Sequence, residues 1–154
     1  MAQKLIIIVC SIILMGSCKS LRISNEKQGI IGEVRWVEGN MMPAIGDSTM
    51  GARLQGIPVQ RELYIFKAVN REDVVSSEGA FFKLVHGELV TRLKTDRDGA
   101  FKVFLMPGKY SVFTMENDGY FANIFDGEND INPVTVQPNS FTEVKMLVNY
   151  RAFY

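Results

Sequence analysis

The stretch that decides the fold is TDRDGAFKVFLMPGKYSV, residues 95–112. It contains a turn rich in aspartate and glycine, a run of alternating apolar residues, a Pro-Gly turn and a second alternating run. Alternation with a period of two is typical of β-strands that bury one face. The stretch therefore predicts two strands, over residues 100–105 and 109–115, joined by a tight turn at Pro107 and Gly108.

The register of this predicted hairpin assigns a core face. The expected pairs on that face are Leu105 with Tyr110, Val103 with Val112, and Phe101 with Thr114. On the opposite face Phe104 and Phe113 become diagonal neighbours. An isolated sandwich would leave both phenylalanines in water, so we expect another part of the chain or a partner to cover them.

Similar runs recur along the chain, and turn residues separate most of them. They lie at residues 29–37, 59–68, 81–85, 89–95, 100–105, 109–115, 134–136 and 141–150. In the last run Val144, Met146, Val148 and Tyr150 share one face. No run shows a sustained 3.6-residue apolar period with helix caps. Seven or eight short strands without helices predict an all-β, antiparallel sandwich.

Residues 95–112 also resemble the signature of carboxypeptidase regulatory-like domains, which have a transthyretin-like sandwich. Two weaker matches, GIIGEV at residues 29–34 and GIPV at residues 56–59, extend the resemblance across the domain. The connection at residues 39–56 is longer than is usual in that family. The resemblance implies a transthyretin-like (Ig-like) sandwich and a mostly non-catalytic module. Such modules occur beside enzymes, in outer-membrane receptors and alone in bacterial surface lipoproteins.

The first eighteen residues predict a targeting segment. One positive charge precedes an apolar run at residues 5–15, and small residues follow before Cys18. As a helix, this run is too short to cross the ~30 Å hydrocarbon core of a bilayer. The sequence LMGSC at residues 14–18 resembles a bacterial lipobox. That resemblance implies cleavage before Cys18 and acyl chains, such as palmitate, on that cysteine.

This organisation predicts where the protein resides. We expect a signal peptide at residues 1–17, a lipidated tether at residues 18–28 and the sandwich domain at residues 29–154. Lys19 stands where an aspartate would resemble an inner-membrane retention signal, which favours the outer membrane. We therefore expect a lipid-anchored protein of the bacterial outer membrane, on its periplasmic or cell-surface side.

The composition excludes several classes of function. Seventeen basic and seventeen acidic residues give a formal charge of zero, so the chain lacks the electrostatic surface that nucleic-acid binding requires. One histidine and two cysteines are too few for a zinc site or a thiol–imidazole enzyme. We therefore expect no cofactor, no bound metal, no nucleic-acid partner and no enzymatic activity.

Two acidic loops keep a weaker calcium hypothesis open. Asp96 and Asp98 lie in a turn, but an EF-hand pattern would need ligands at positions held by Lys94 and Leu105. The loop DGEND at residues 126–130 offers more carboxylates in one place. We interpret the first as a turn and the second as a solvated acidic loop, with a weak extracellular calcium site as the alternative.

Other chemistry-bearing residues have structural interpretations. His86 precedes a glycine between two predicted strands and is interpreted as a turn residue. Trp36 alternates with core positions and is interpreted as core rather than as a sugar platform. Glu33, Glu62 and Glu143 lie on predicted strands, where cross-strand charge pairs explain them. A carbohydrate-binding module would require an exposed aromatic pair, and a small hydrolase would require a cleft with perturbed carboxylates.

The sequence therefore predicts an envelope-anchored, non-enzymatic binding or assembly module for other envelope proteins. The candidate partner surface combines flexible methionines of the connection at residues 39–56 with the outer face of the predicted hairpin. Its members are Met41, Met42, Met50, Phe104 and Phe113. The connection either packs onto the two phenylalanines or binds a partner, and the sequence leaves both alternatives and the oligomeric state open.

Overall fold

Residues 27–154 are described by the computed structural model, and their regular structure is almost entirely β. The strands follow the alternating runs, because β-branched and aromatic residues favour a pleated, half-buried surface. The strands are β1 (Gly29–Asn40), β2 (Ile57–Pro58), β3 (Glu62–Lys67), β4 (Val74–Ser76), β5 (Phe81–Val85), β6 (Leu89–Lys94), β7 (Ala100–Phe104), β8 (Gly108–Glu116), β9 (Gly119–Phe121), β10 (Pro133–Val136) and β11 (Phe141–Phe153). A short helix, α1 (Met50–Gln55), precedes β2, and a 3₁₀ turn (Arg71–Asp73) precedes β4. Within this part of the chain no helix is long and apolar enough to cross a membrane.

A four-stranded sheet is built around β1. β11 runs parallel to β1, from Gly29 beside Phe141 to Asn40 beside Phe153. β7 and β2 pair antiparallel with β1. The first and last strands of the described chain are therefore neighbours, and their parallel pairing differs from the antiparallel arrangement that the sequence predicts.

The second sheet has seven strands in the order β4-β5-β9-β8-β3-β6, with β10 paired beside the start of β8. The pairs in this sheet are antiparallel. The two sheets bury a shared apolar core, as sheets with one hydrophobic face must. The predicted all-β sandwich is thus confirmed.

The inter-sheet core uses the inward positions of the alternating runs. Its buried members include Ile30, Val34, Leu63, Ile65, Phe101, Leu105, Tyr110, Val112, Met146 and Val148. Val144 and Tyr150 pack against it and are partly buried. The inward face predicted for the last strand is therefore confirmed.

The predicted hairpin between β7 and β8 is wrong. Ala100–Phe104 pairs with β1 in the four-stranded sheet, whereas Gly108–Glu116 pairs with β3, β9 and β10 in the other sheet. Residues 105–107 cross between the sheets, and the Tyr110 hydroxyl donates to the Met106 carbonyl oxygen at 2.7 Å. The predicted core face, with Phe101, Leu105, Tyr110 and Val112, is buried all the same, because alternation fixes which face is apolar but not which strand lies alongside.

Phe113 lies in a second apolar cluster on the outer face of the seven-stranded sheet. Its buried members are Phe66, Val69, Phe82, Phe113, Ala122 and Ile131. The ring of Phe82, from β5, meets the ring of Phe113 at 5.9 Å in an edge-to-face arrangement. Phe113 is therefore covered by β5 and by residues 69, 122 and 131, and not by the connection at residues 39–56.

The strand directions give the sandwich two ends. The proximal pole contains residues 28–29, 104–108 and 137–141, where β1 and β11 begin and β7 ends. The distal pole contains residues 40, 116–119 and 151–153. β11 has 13 residues, so at about 3.3 Å per residue the poles lie about 40 Å apart.

Candidate functional site

An aromatic cluster marks the outer face of the four-stranded sheet at the proximal pole. Phe104 and Phe141 flank Gly29 in the sheet register, and their rings meet edge to face at 5.7 Å. The Lys102 ammonium lies 4.3 Å from the Phe141 ring centroid and 5.4 Å from that of Phe104. Phe104 remains 47% exposed, and Ile31 beside it is also exposed. We call Ile31, Lys102, Phe104 and Phe141, with exposed Met106, the aromatic–lysine patch.

The chain enters this pole at a fixed point. Gln28 is buried, its side-chain oxygen accepts from the Asn139 backbone N–H at 2.9 Å, and its carbonyl accepts from the Leu105 N–H at 3.3 Å. The Gly29 N–H donates to the Ser140 carbonyl oxygen at 3.2 Å. The described chain therefore begins beside the aromatic–lysine patch.

The connection at residues 39–56 lies at the distal pole and is firmly attached. Arg35 on β1 donates to the carbonyl oxygens of Gln55 and Gly56, both at 2.8 Å, and so holds the end of α1. Met41 is buried, and its N–H donates to the Phe153 carbonyl oxygen at 2.7 Å. A groove of about 360 Å³ separates α1 from β1 and is lined in part by Trp36, Met41 and Ile57. The connection therefore packs along β1 and does not cover Phe104 or Phe113.

Exposed apolar residues gather where this connection meets the end of β11. Met42 is 54% exposed and Ile45 is fully exposed. Phe153, which lies beside Asn40 in the sheet, is 69% exposed. Tyr154 follows and is also exposed, and its hydroxyl accepts from the Asn149 side chain at 2.9 Å. We call Met42, Ile45, Phe153 and Tyr154 the distal apolar surface.

The five residues of the predicted partner surface do not lie together. Met42 is exposed at the distal pole, Met41 is buried there, and Met50 is partly buried at the start of α1. Phe104 lies at the opposite pole, and Phe113 is fully buried. Phe113 therefore does not belong to the partner surface, because its predicted exposure depended on the incorrect hairpin. Phe141, Phe153 and Tyr154 were not singled out from the sequence, although apolar residues at strand ends were a visible signal.

The acidic loop at residues 126–130 contains its own counter-ion. Lys109 Nζ lies 2.8 Å from a carboxylate oxygen of Asp126, 3.4 Å from Glu128 and 2.5 Å from Asp130. Hydrogen bonds to Asp126 and Asp130 raise the pKa of Lys109, and the bond from Lys109 lowers the pKa of Asp126. These carboxylates are grouped closely enough for a metal ion, but the ammonium stands among them. The calcium alternative at this loop is therefore less well supported than a paired ion cluster.

The Asp96 loop is a turn, as predicted. One Asp96 carboxylate oxygen accepts from the Asp98 and Ala100 backbone N–H groups at 2.9 and 2.8 Å. Gly99 has φ of +73°, and a Cβ at this position would lie 2.3 Å from the Val34 carbonyl oxygen. Both the conformation and the close approach to β1 therefore require glycine.

A buried ion pair occupies the sandwich near the distal pole. Arg61 Nε donates to Glu116 at 2.9 Å, and the Glu116 side chain is only 4% exposed. The Tyr150 hydroxyl donates to the same carboxylate at 3.2 Å, and burial, followed by the charge of Glu116, raises the pKa of Tyr150. Arg61 also lies 5.6 Å from the Trp36 ring centroid, while Tyr150 meets that ring at 4.9 Å. Because Arg61 and Tyr150 already contact the Trp36 ring, this ring is a poor platform for a sugar. The carbohydrate-binding alternative therefore loses support.

The remaining candidates have ordinary surroundings. His86 is exposed in the connection after β5, and its backbone N–H donates to the Asp73 carbonyl oxygen at 2.7 Å. Glu33 forms the predicted cross-strand pair with Lys145 at 3.7 Å.

A cavity of about 470 Å³ beside Tyr150 has Glu78 and Asp118 on its rim, and both lie at exposed positions. A general acid needs a desolvated carboxyl, so this cavity gives the hydrolase alternative little support. Cys18, the predicted lipidation site, lies outside the described residues.

The fold and these sites define a small β-sandwich protein. No known family profile matches the sequence, and no curated protein matches it. Among solved structures, the crystal structure of (S)-allantoin synthase is similar at a TM-score of 0.33 and 16% sequence identity. The similarity covers 78% of this chain and 41% of that one, so the chain spans about two fifths of its length.

Proposed function

We propose that the protein is an outer-membrane lipoprotein, anchored through acylated Cys18, whose transthyretin-like sandwich is a non-enzymatic binding or assembly module for other envelope proteins. The observation that carries the binding role is the distal apolar surface. Its residues are exposed, yet Arg35 and the buried Met41 hold the connection that carries Met42 and Ile45, and β11 carries Phe153. A rigid scaffold that presents exposed apolar side chains is typical of a protein-binding element.

The position of this surface supports the same role. The tether meets the sandwich at the proximal pole, so an anchor at Cys18 would leave the opposite pole free to meet a partner. Methionine and aromatic side chains suit such a contact, because aromatic residues and methionine are enriched at protein interfaces. Carbohydrate or calcium binding is the alternative with less support, since Trp36 and the acidic loop are already paired within the fold.

The anchor is tested by fractionation in a bacterial host. Cys18→Ala should move the protein from the detergent-extracted membrane fraction to the soluble or precursor fraction. Membrane retention of this variant with an uncleaved signal would contradict the lipoprotein proposal and indicate a transmembrane anchor.

The partner surface is tested by site-specific photocrosslinking in intact cells. A photoreactive phenylalanine analogue at position 45, on the distal apolar surface, should give discrete crosslinks to an envelope protein. The matched control is position 75, an exposed valine of β4 in the other sheet. Absence of crosslinks at position 45, or the same products at both positions, would contradict a specific distal surface.

A further inference from the structure

We infer that the aromatic–lysine patch docks the sandwich onto the bilayer surface, so that the protein stands on its membrane with the distal pole outward. This inference rests on the proposed anchor at Cys18 and adds a second, non-covalent contact between the protein and the lipid. The occupant of the patch is the headgroup and upper acyl region of a phospholipid bilayer.

The attachment point of the tether places the patch on the side of the sandwich that faces the anchor. Ten residues separate Cys18 from Gly29. Fully extended, they and the flanking bonds reach at most about 40 Å, and any less extended arrangement is shorter. Since Gln28 is pinned between Leu105 and Asn139, this reach is measured from the proximal pole itself. The patch is therefore the exposed apolar surface closest to the attachment point of the tether, and the distal pole lies about 40 Å further along the sandwich.

The chemistry of the patch fits the interfacial region of a bilayer. Phe104, Ile31 and Met106 expose apolar surface, and the Phe141 ring packs against Phe104. Lys102 lies over both rings, so its methylene stem can follow the apolar surface while its ammonium reaches the phosphates. Aromatic rings with neighbouring lysines anchor proteins at membrane interfaces in this way. The acyl chains expected on Cys18 hold the protein at the membrane but do not set its orientation, so a second contact at the patch orients the domain.

The test measures how deeply each pole of the sandwich enters the bilayer. The full-length protein is extracted from membranes and reconstituted in vesicles of phosphatidylethanolamine and phosphatidylglycerol. Cys10 and Cys18 are expected to offer no free thiol after cleavage and acylation. Met106→Cys therefore provides one labelling site for bimane at the proximal pole. Asp118→Cys, in the turn before β9, provides the matched site at the distal pole. Nitroxide-labelled lipids are included to quench any bimane that enters the interface.

The expected result is strong quenching at position 106 and little at position 118. Interfacial groups lie about 5–10 Å into the headgroup and acyl boundary, so we expect the label at 106 to lose roughly half of its emission or more. Phe104→Ser should lower this quenching to the level seen at position 118. Phe153→Ser, an equally apolar change at the distal pole, should leave it unchanged. Lys102→Glu should also weaken it, and this variant alters only an exposed side chain.

The failure of the docking and the failure of the anchor give different results. Equal quenching at both positions, in protein that floats with the vesicles, would overturn the docking and leave the anchor intact. Protein that does not float would overturn the anchor, and the docking with it. Disulfide-linked dimers of unlabelled Met106→Cys, together with equal quenching, would overturn the bilayer as occupant and assign the patch to a second copy.

Discussion

The positions of Phe104 and Phe113 give the sharpest test of the fold. The hairpin expected from the sequence places both rings on one outward face, where their truncation would have similar effects. In the structure Phe113 is 0% exposed and Phe104 is 47% exposed. We therefore predict that Phe113→Ala and Phe104→Ala differ widely in the free energy of unfolding.

The magnitudes follow from the surroundings of each ring. Truncating a buried phenylalanine costs about 3 to 5 kcal/mol. Phe113 also makes edge-to-face contacts with Phe66 at 5.6 Å, Phe82 at 5.9 Å and Tyr120 at 6.0 Å, so its loss should lie near the upper end. Phe104 keeps about half of its surface in water and loses its contact with Phe141, so its loss should be about 1 to 2 kcal/mol. The expected difference is about 3 kcal/mol.

The assay is urea denaturation followed by the fluorescence of Trp36, the one tryptophan of the chain. Both variants should keep the wild-type dependence of stability on urea, because that slope reports the surface exposed on unfolding. The Phe113→Ala variant should have the much lower midpoint. Equal and small losses for both variants would refute the second apolar cluster and restore the hairpin that the sequence predicts.

Four further predictions follow from other groups. Thr114→Val should raise the free energy of unfolding by about 1 kcal/mol, because the threonine hydroxyl is buried without a hydrogen-bond partner among the described residues; a loss in urea denaturation would show that a partner exists. Millimolar calcium should leave the melting temperature of the wild type unchanged and raise that of Lys109→Ala, because the Asp126 and Asp130 carboxylates lose their ammonium partner in this variant. Equal shifts of the melting temperature in scanning calorimetry would contradict this prediction. The pKa of Asp126 is lowered in the folded state, so its ion pair with Lys109 stabilises the wild type above about pH 4, and this stabilisation is lost as the pH falls below that value. The Lys109→Ala variant should therefore lose less stability than the wild type over this acidic range. Identical profiles of unfolding free energy against pH would disprove the coupling. Arg35→Ala should speed protease cleavage within residues 41–56 more than Arg53→Ala does, because Arg35 holds the end of α1; equal cleavage rates by mass spectrometry would count against that role.

Most of the strands could be predicted from the sequence because each follows a local alternating pattern, but the short strands β2, β4 and β9 were not predicted. Alternation identified the faces of β7, β8 and β11 that point into the inter-sheet core. It could not identify their partners, since β7 pairs with a strand about seventy positions earlier. A period of two sorts residues between two faces but carries no information about which strand lies alongside. The parallel pairing of β1 with β11 was missed for the same reason.

The candidate sites show the same division between local and distant information. The turn at Asp96 was predictable, because its hydrogen bonds all lie within four residues. The role of Lys109 was not, because its carboxylate partners follow it by 17 residues or more and meet it only through the fold. Likewise Phe104 and Phe141 meet over Gly29 although they are distant in sequence. Such pairs can be found only when the sheet register is known.

The parallel pairing of β1 with β11 also determines when the domain can fold. Gly29 pairs with Phe141, which is synthesised 112 residues later. The edge of β1 that β11 covers therefore has no partner until almost the whole domain has left the ribosome. Pairings this far apart in sequence make folding slow, because a long loop must close before its contacts form. Truncation before residue 141 should therefore abolish folding altogether instead of leaving a smaller stable core.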